Sequence, residues 1–128
     1  MATILVIDDE LGIRDLLDTL LTRKGFGVVL ADSGQKGLEV FRRVRPDAVV
    51  LDLKMPGMDG LTVLQEIRRL NPTQPVIILT GAATPESEQQ IRALGVTEYV
   101  EKQFSLHLLG DALKRILVPT TPFSTLTH

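Results

Sequence analysis

Short apolar runs alternate along the chain with segments in which apolar residues recur every three or four positions. Four runs have the length of buried strands, and a weaker fifth follows; they are Ile4–Ile7, Val28–Ala31, Ala48–Leu51, Val76–Leu79 and Glu98–Val100. The four strong runs do not alternate polar with apolar residues, which is typical of strands covered on both faces of a parallel sheet. The pattern therefore predicts strands buried between helices.

Helical patterns fill the intervals between these strands, each with a recognisable start or stop. The first carries Ile13, Leu16, Leu17, Leu20 and Leu21 and stops at Gly25. The second runs from the Ser33 cap to Pro46, and the third from Leu61 to Asn71-Pro72. The fourth has Thr84 as its cap and Pro85 at its first helical position and ends at Gly95. The fifth runs from the Ser105 cap to Pro119. Five strand and helix pairs result.

This alternation predicts an α/β fold, a single doubly wound (βα)5 domain whose parallel sheet is built with right-handed crossovers. The domain is expected to span residues 1–118. Residues 119–128 are rich in Thr, Pro and Ser and lose the apolar period, so they are interpreted as a tail or the start of a linker.

Composition narrows the classes of function. The 128 residues are 44% hydrophobic, carry a net charge of −2, and contain no Cys and no Trp. A balanced charge and few aromatic residues argue against a nucleic-acid partner. No apolar run approaches the roughly 20 residues that span a bilayer, so no membrane association is expected. The lack of Cys excludes thiolate chemistry and suits a cytoplasmic location.

Candidate chemistry gathers after the predicted strands. Ligand sites of open α/β sheets lie at the carboxyl ends of the strands. The polar residues at or just after those ends are Asp8, Asp9, Glu10, Asp52, Thr80 and Lys102. Four carboxylates, one hydroxyl and one ammonium group are therefore expected to share one edge of the sheet.

This set suits phosphoryl transfer. Carboxylates held close together repel one another unless a cation lies between them, and hard oxygen ligands suit Mg²⁺. Mg²⁺ offsets charge on a transferred phosphoryl group, and a carboxylate can itself be the nucleophile and form an acyl phosphate. Lys102 supplies a point charge for a phosphoryl oxygen, and Thr80 a hydrogen bond.

Taken together, these residues resemble a response-regulator receiver domain of two-component signalling, in the CheY-like superfamily. Four separated features carry the resemblance, which covers about Ala2 to Val118: the Asp8-Asp9 pair, the segment Asp52–Gly60, Thr80-Gly81, and Tyr99 placed shortly before Lys102. The resemblance implies a flavodoxin-like, five-stranded parallel sheet of order 2-1-3-4-5. It also implies bacterial-type phosphorelay signalling.

The resemblance assigns the acids their roles. Asp52 is the expected phosphoacceptor, taking a phosphoryl group from a sensor histidine kinase or a histidine phosphotransfer protein. Asp9, Asp52 and the backbone carbonyl of Lys54 are the expected Mg²⁺ ligands, and Asp8 acts through water or from the second shell. Mn²⁺ is a possible substitute. Such a protein phosphorylates and dephosphorylates itself and is not an enzyme acting on many substrates.

The remaining roles concern switching. Lys102 and Thr80 are expected to contact the phosphoryl group, and Tyr99 to turn inward afterwards. Lys54 and Ala82 occupy positions that tune the phosphoryl lifetime. The new dianion biases a face built from the fourth helix, fifth strand and fifth helix, at about residues 84–94, 98–101 and 105–118.

The implied reader of this face is a downstream protein or a fused output domain. The chain is expected to be a monomer or a phosphorylation-dependent dimer.

One residue departs from the family pattern. Receivers usually place Pro after the lysine, often in a cis peptide bond, and this chain has Gln103. A cis bond before a non-proline residue costs roughly 2.5–4 kcal/mol. Either the Lys102-Gln103 bond is trans and the loop differs, or the fold holds it cis under strain.

Three other functions remain open at this point. Gln103 is the only support for a phosphate-independent interaction module with the receiver fold. A phosphohydrolase with an aspartyl nucleophile usually has a second Asp where this chain has Lys54. A flavodoxin relative would need a phosphate-binding loop where the acids Asp8, Asp9 and Glu10 stand.

Overall fold

A computed structural model describes residues 2–81, 85–96 and 98–101, and positions 109, 113, 115 and 117 beyond them. Strands and helices alternate, as the sequence predicts. They are β1 (Thr3–Ile7), α1 (Leu11–Arg23), β2 (Gly27–Ala31), α2 (Gly34–Val44), β3 (Ala48–Asp52), α3 (Gly60–Leu70), β4 (Val76–Thr80), α4 (Pro85–Ala93) and β5 (Glu98–Glu101). No helix within the described ranges is long and apolar enough to cross a bilayer.

The five strands form one parallel sheet in the order β2-β1-β3-β4-β5, which confirms the predicted order. The central strands β3 and β4 are buried along their whole length. The prediction is wrong for β2, where four of five residues are only half-buried. β2 lies at an edge of the sheet with β1 as its one neighbour, and strand order determines that exposure.

Two apolar cores lie on opposite faces of the sheet because side chains alternate along each strand. Leu5, Ile7 and Ile78 belong to the core packed under α2, α3 and Ile91 of α4. Ile4 and Val6 belong to the other core, with residues of α1 and with the buried leucines at 109 and 113. Coverage on both faces explains why the strand sequences are continuous apolar runs.

Local signals set most helix boundaries. The Ser33 hydroxyl accepts a hydrogen bond from Lys36 N at 3.1 Å and caps α2, as predicted. Pro85 is the first residue of α4, also as predicted, whereas Thr84 lies outside the described residues. A cap not identified from the sequence is Asp59, whose Oδ1 accepts from Thr62 N at 2.9 Å at the start of α3.

The apolar stripe of α1 is narrower than its sequence pattern. Leu17 and Leu21 are fully buried, one helical turn apart. Leu16 was expected in the same stripe, but its side chain is 40% exposed, because it lies about 100° around the helix from Leu17. The first helical residue, Leu11, is 63% exposed.

The predicted fifth helix is described at four positions only. Leu109, Leu113, Arg115 and Leu117 are all helical. Leu109 and Leu113 are fully buried and one turn apart, so this segment turns an apolar face to the core. The predicted cap at Ser105 and the tail 119–128 lie outside the described residues.

Candidate functional site

Strand register brings the predicted acids together. Ile7 of β1 lies opposite Leu51 of β3, so the residues that follow them, Asp8 and Asp52, leave neighbouring strands at the same level. From β1 the chain crosses to β2 on one side and later returns to β3 on the other. The gap beyond the carboxyl ends of β1 and β3 is therefore the switch point at which such sheets bind ligands.

The acids at this point form a compact cluster. Asp8, Asp9, Glu10 and Asp52 each offer a carboxylate oxygen, and these atoms all lie within 4.8 Å of one another. The side chains of Asp8 and Asp52 are only 1% and 3% exposed. Four clustered carboxylates repel one another strongly, and hard oxygen donors are the ligands Mg²⁺ takes, so this donor set fits the predicted metal.

Hydrogen bonds of the backbone and of two side chains hold the turn between β1 and α1. Asp8 N donates to Ala31 O at 3.1 Å, and Glu10 N donates to Asp8 Oδ1 at 2.9 Å. The Arg14 side chain reaches back from α1, and its Nη1 donates to the backbone carbonyl of Asp8 at 2.9 Å. These contacts aim three consecutive acidic residues at the end of β3.

Asp52 is held by the segment that follows it. Its Oδ1 accepts from Lys54 N at 3.3 Å, which places the Lys54 backbone beside the carboxylate. Gly60 N donates to Leu53 O at 2.9 Å where α3 begins. A Cβ at Gly60 would lie 2.3 Å from Asp52 O and 2.6 Å from Leu53 Cα, so the start of α3 can approach the strand this closely only with glycine.

Thr80 lies on the same edge of the sheet. It ends β4 one residue after Leu79, which pairs with Asp52, and it is 1% exposed. Thr80 pairs with Glu101 at the end of β5, and Tyr99 pairs with Ile78. The predicted site residues Lys102 and Ala82 lie outside the described residues, as do Gln103 and the Tyr99 side chain.

Two residues of this edge make contacts beyond those predicted from the sequence. Glu10 belongs to the acid cluster, although it is not among the predicted metal ligands. Its position directly after Asp8-Asp9 is the feature of the sequence that could have identified it. Arg14 contacts the Asp8 carbonyl, and its position one turn into α1 gave no comparable signal.

Comparison with known proteins decides the family. A model of the response regulator receiver domain matches residues 4–114. The chain belongs to the response regulator receiver domain family. Its function is therefore phosphorelay signal transduction, and the comparisons give no support to a phosphate-independent module.

Individual relatives agree with the family. Over 114 residues the chain is 34% identical to sporulation initiation phosphotransferase F of Bacillus subtilis, covering 89% of this chain and 92% of the relative. It is 36% identical to the regulatory protein AtoC of Escherichia coli, again over 89% of this chain but only 25% of that longer protein. The domain thus occurs both nearly alone and as part of larger regulators.

A solved structure shares the fold and carries a relevant ligand. The response regulator protein TrrA of Thermotoga maritima, solved in complex with Mg²⁺ and BeF, superimposes with a TM-score of 0.83 at 37% identity, covering 91% of this chain and 100% of that one. Receiver domains are signalling phosphoacceptors that bind Mg²⁺ in an acidic pocket and pair with histidine kinases. The receiver domain described here has such a pocket at Asp8, Asp9, Glu10 and Asp52.

Proposed function

We propose that Asp52 is the phosphoacceptor of this receiver domain. The observation that carries the proposal is its position: Asp52 ends a central strand, is 3% exposed, and lies at the switch point within 4.8 Å of three other carboxylates. A nucleophilic carboxylate needs a fixed orientation, and the hydrogen bond from Lys54 N to Oδ1 supplies one.

The reaction is a substitution at phosphorus. A carboxylate oxygen of Asp52 attacks the phosphoryl group, and the new O–P bond forms as the P–N bond of a phosphohistidine breaks. The ring nitrogen that is released takes a proton from solvent, so the histidine leaves as neutral imidazole, and Asp52 becomes an acyl phosphate. The partner protein, a histidine kinase or a histidine phosphotransfer protein, supplies the phosphohistidine.

Asp9, Asp52 and the Lys54 carbonyl would hold the metal, and Asp8 would act through water or from the second shell. When bound, Mg²⁺ offsets the negative charge of the attacking carboxylate and the phosphoryl oxygens. The burial of Asp8, at 1% exposure, supports an indirect role, because Asp9 beside it reaches solvent. Glu10 lies close enough to add a water-mediated contact.

Switching would begin at Thr80 and Lys102, which contact the phosphoryl group, with Tyr99 turning inward in response. The pairing of Thr80 with Glu101 supports this proposal, because it links the end of β4 to the residue before Lys102. The face at residues 84–94, 98–101 and 105–118 would then change and control a partner or an output domain. We place the functional domain at residues 1–118.

The test is phosphorylation by a small donor. The protein is incubated with Mg²⁺ and acetyl phosphate, and intact mass is measured with Asp52→Asn and Asp47→Asn beside it. Asp47 lies just before β3, at the end opposite Asp52, so Asp47→Asn controls for the loss of one carboxylate near this strand. We expect an adduct in the wild type and in Asp47→Asn, and none in Asp52→Asn.

Further measurements separate the parts of the proposal. An adduct of equal extent in Asp52→Asn would disprove the assignment of the phosphoacceptor. Asp9→Ala should weaken Mg²⁺ binding in calorimetry, and unchanged binding would remove Asp9 from the ligand set. If no adduct accumulates, beryllofluoride binding distinguishes rapid loss of the phosphoryl group from an inert site.

A further inference from the structure

We propose that Arg14 is a positioning residue of the acid site. Its side chain holds the turn between β1 and α1 so that Asp8, Asp9 and Glu10 face Asp52. Where the inference concerns metal binding it rests on the proposed function; where it concerns the turn itself it stands on the contacts alone.

Arg14 contacts the turn on both sides of Asp9. Its backbone N donates to Glu10 O at 3.0 Å, which forms the first turn of α1. Its Nη1 donates to Asp8 O at 2.9 Å, at the residue where the chain leaves β1. One half-buried residue thus ties the end of the strand to the beginning of the helix.

The turn needs this hydrogen bond because the acidic residues of its own sequence repel one another in the observed geometry. Three successive acidic residues converge with a fourth, and like charges at this separation repel. The residue before α1, Glu10, makes no side-chain capping bond to the helix. The Asp8 carboxylate instead accepts from Glu10 N, so the same side chain that belongs to the acid cluster also shapes the turn.

A guanidinium at this position has two effects of opposite sign on a bound cation. Its positive charge disfavours Mg²⁺ nearby, so losing the charge alone would strengthen metal binding. Its hydrogen bond fixes the backbone at Asp8, next to the proposed ligand Asp9. Losing a hydrogen-bond partner of a metal ligand typically weakens metal affinity 10–100-fold, and the effect here should lie at the lower end of that range because the contact acts through the backbone. The positioning role predicts that the second effect is larger.

The experiment compares Arg14→Met with Arg14→Lys. Met keeps the length of the aliphatic chain and removes both donor and charge, whereas Lys keeps a donor and the charge. Calorimetry with Mg²⁺ alone as the probe measures affinity, and hydrogen exchange followed by NMR measures protection of the Glu10 amide. Arg23→Met, in the last turn of the same helix, is the matched control.

We expect Arg14→Met to weaken Mg²⁺ binding about tenfold and to accelerate exchange at Glu10. Arg14→Lys should recover most of the affinity, and Arg23→Met should match the wild type. Exchange at the Arg14 amide, which is bonded through the backbone, should stay slow in every variant that keeps α1.

Several results would overturn the inference. Unchanged or tighter Mg²⁺ binding in Arg14→Met, together with wild-type exchange at Glu10, would show that Arg14 acts on the site only through its charge and does not position the turn. Recovery no better with Lys than with Met would refute a role carried by a single donated hydrogen bond. If Arg14→Met proves poorly folded, Arg14→Gln takes its place, because its shorter side chain cannot reach the Asp8 carbonyl; exchange at Glu10 should then again be faster than in the wild type, and wild-type exchange would overturn the inference.

Failure of the proposed function gives a different result. A wild-type protein that binds no Mg²⁺ and takes no phosphoryl group would contradict the assignment of Asp52. Exchange at the Glu10 amide would even then report whether Arg14 orders the turn, because that measurement requires no metal.

Discussion

At the edge of the sheet where the strands end, four carboxylates approach within 4.8 Å of one another. At the edge where the strands begin, an arginine side chain lies against backbone acceptors instead. Arg68 of α3 donates through Nε to Leu94 O at 2.6 Å and through Nη2 to Gly95 O at 2.8 Å. The same side chain therefore satisfies carbonyl groups where α4 ends.

A second polar side chain at this edge is also paired with backbone carbonyl groups. Gln74, only 4% exposed, donates to Pro46 O at 3.3 Å and to Pro75 O at 3.2 Å. Burial lowers the pKa of Arg68, but a guanidinium stays protonated at any physiological pH. Its charge interacts favourably with the negative ends of α3 and α4.

Surface ion pairs add little to the free energy of unfolding at this edge, but the direction of their contribution is clear. The hydrogen bond from Arg69, helped by Arg42, lowers the pKa of the Glu66 carboxyl below its usual value. A lowered pKa in the folded state means that this pair contributes stability above the unfolded pKa of Glu66 and loses it as pH falls through the folded pKa. The pair is exposed and screened by salt.

The difference between the edges shows where this fold gains stability and where it gives stability up. Hydrogen bonds and charge pairing stabilise the edge at which the strands begin. The edge at which they end concentrates like charges, which lowers stability until a cation binds between them. A functional site that is costly in the resting protein is common in natural proteins.

The largest effect is expected from breaking the acid edge at its backbone. Gly60→Ala would place a Cβ 2.3 Å from Asp52 O, and because the obstacle is backbone, β3 and α3 must separate. We expect the free energy of unfolding to fall by about 3 kcal/mol, with loss of phosphoryl acceptance. Urea unfolding measures the first and intact mass the second.

Gly12→Ala is the control for this substitution. A Cβ at Gly12 of α1 would meet no atom within 4 Å. There the change should stabilise the helix by about 0.5 kcal/mol. Equal effects of the two substitutions would show that the close approach at Gly60 does not matter.

A smaller effect is expected from breaking the opposite edge. Arg68→Met removes the donors to Leu94, Gly95 and Asn71 and leaves the ends of α3 and α4 without their shared partner. Urea unfolding should show a loss of about 2 kcal/mol. Arg69→Met, next in sequence and exposed, should change stability too little to measure, and a similar loss in both would contradict the role given to Arg68.

The smallest effect sharpens the comparison. Without divalent cations, Asp52→Asn removes one of the clustered charges and should raise the free energy of unfolding by about 1 kcal/mol. Saturating Mg²⁺ should reverse the order, because a ligand stabilises the folded form that binds it. A variant that is less stable than the wild type in the absence of metal would show that repulsion does not dominate this edge.

Much of the fold could be predicted from the sequence because its signals are local. Continuous apolar runs mark strands covered on both faces, and Ser33 and Pro85 mark helix starts by their own backbone chemistry. Convergence of Asp8 and Asp52 follows from the rule that sites lie where parallel strands end. The half-exposure of β2 depends on which strand lies at the edge of the sheet, and no local pattern reports that.

The contacts around the site were harder to predict. Arg14 reaches backwards across the turn to a backbone carbonyl, and a carbonyl group is present at every residue. Glu10 joins the cluster only because the turn folds back on itself. Gly60 stands in the motif after Asp52, but its necessity becomes visible only when the distance to the Asp52 carbonyl is known.

The strand order also has a consequence for biosynthesis. β1 lies between β2 and β3. Because the chain is synthesised from its N-terminus, β1 can pair with β2 before β3 has been made. Asp8 and Asp9 are therefore made before Asp52. The interval is a few seconds at the roughly 5–20 residues that a ribosome adds per second. The acid cluster is therefore completed late, and a chain interrupted before Asp52 would lack the residue that we propose as the phosphoacceptor.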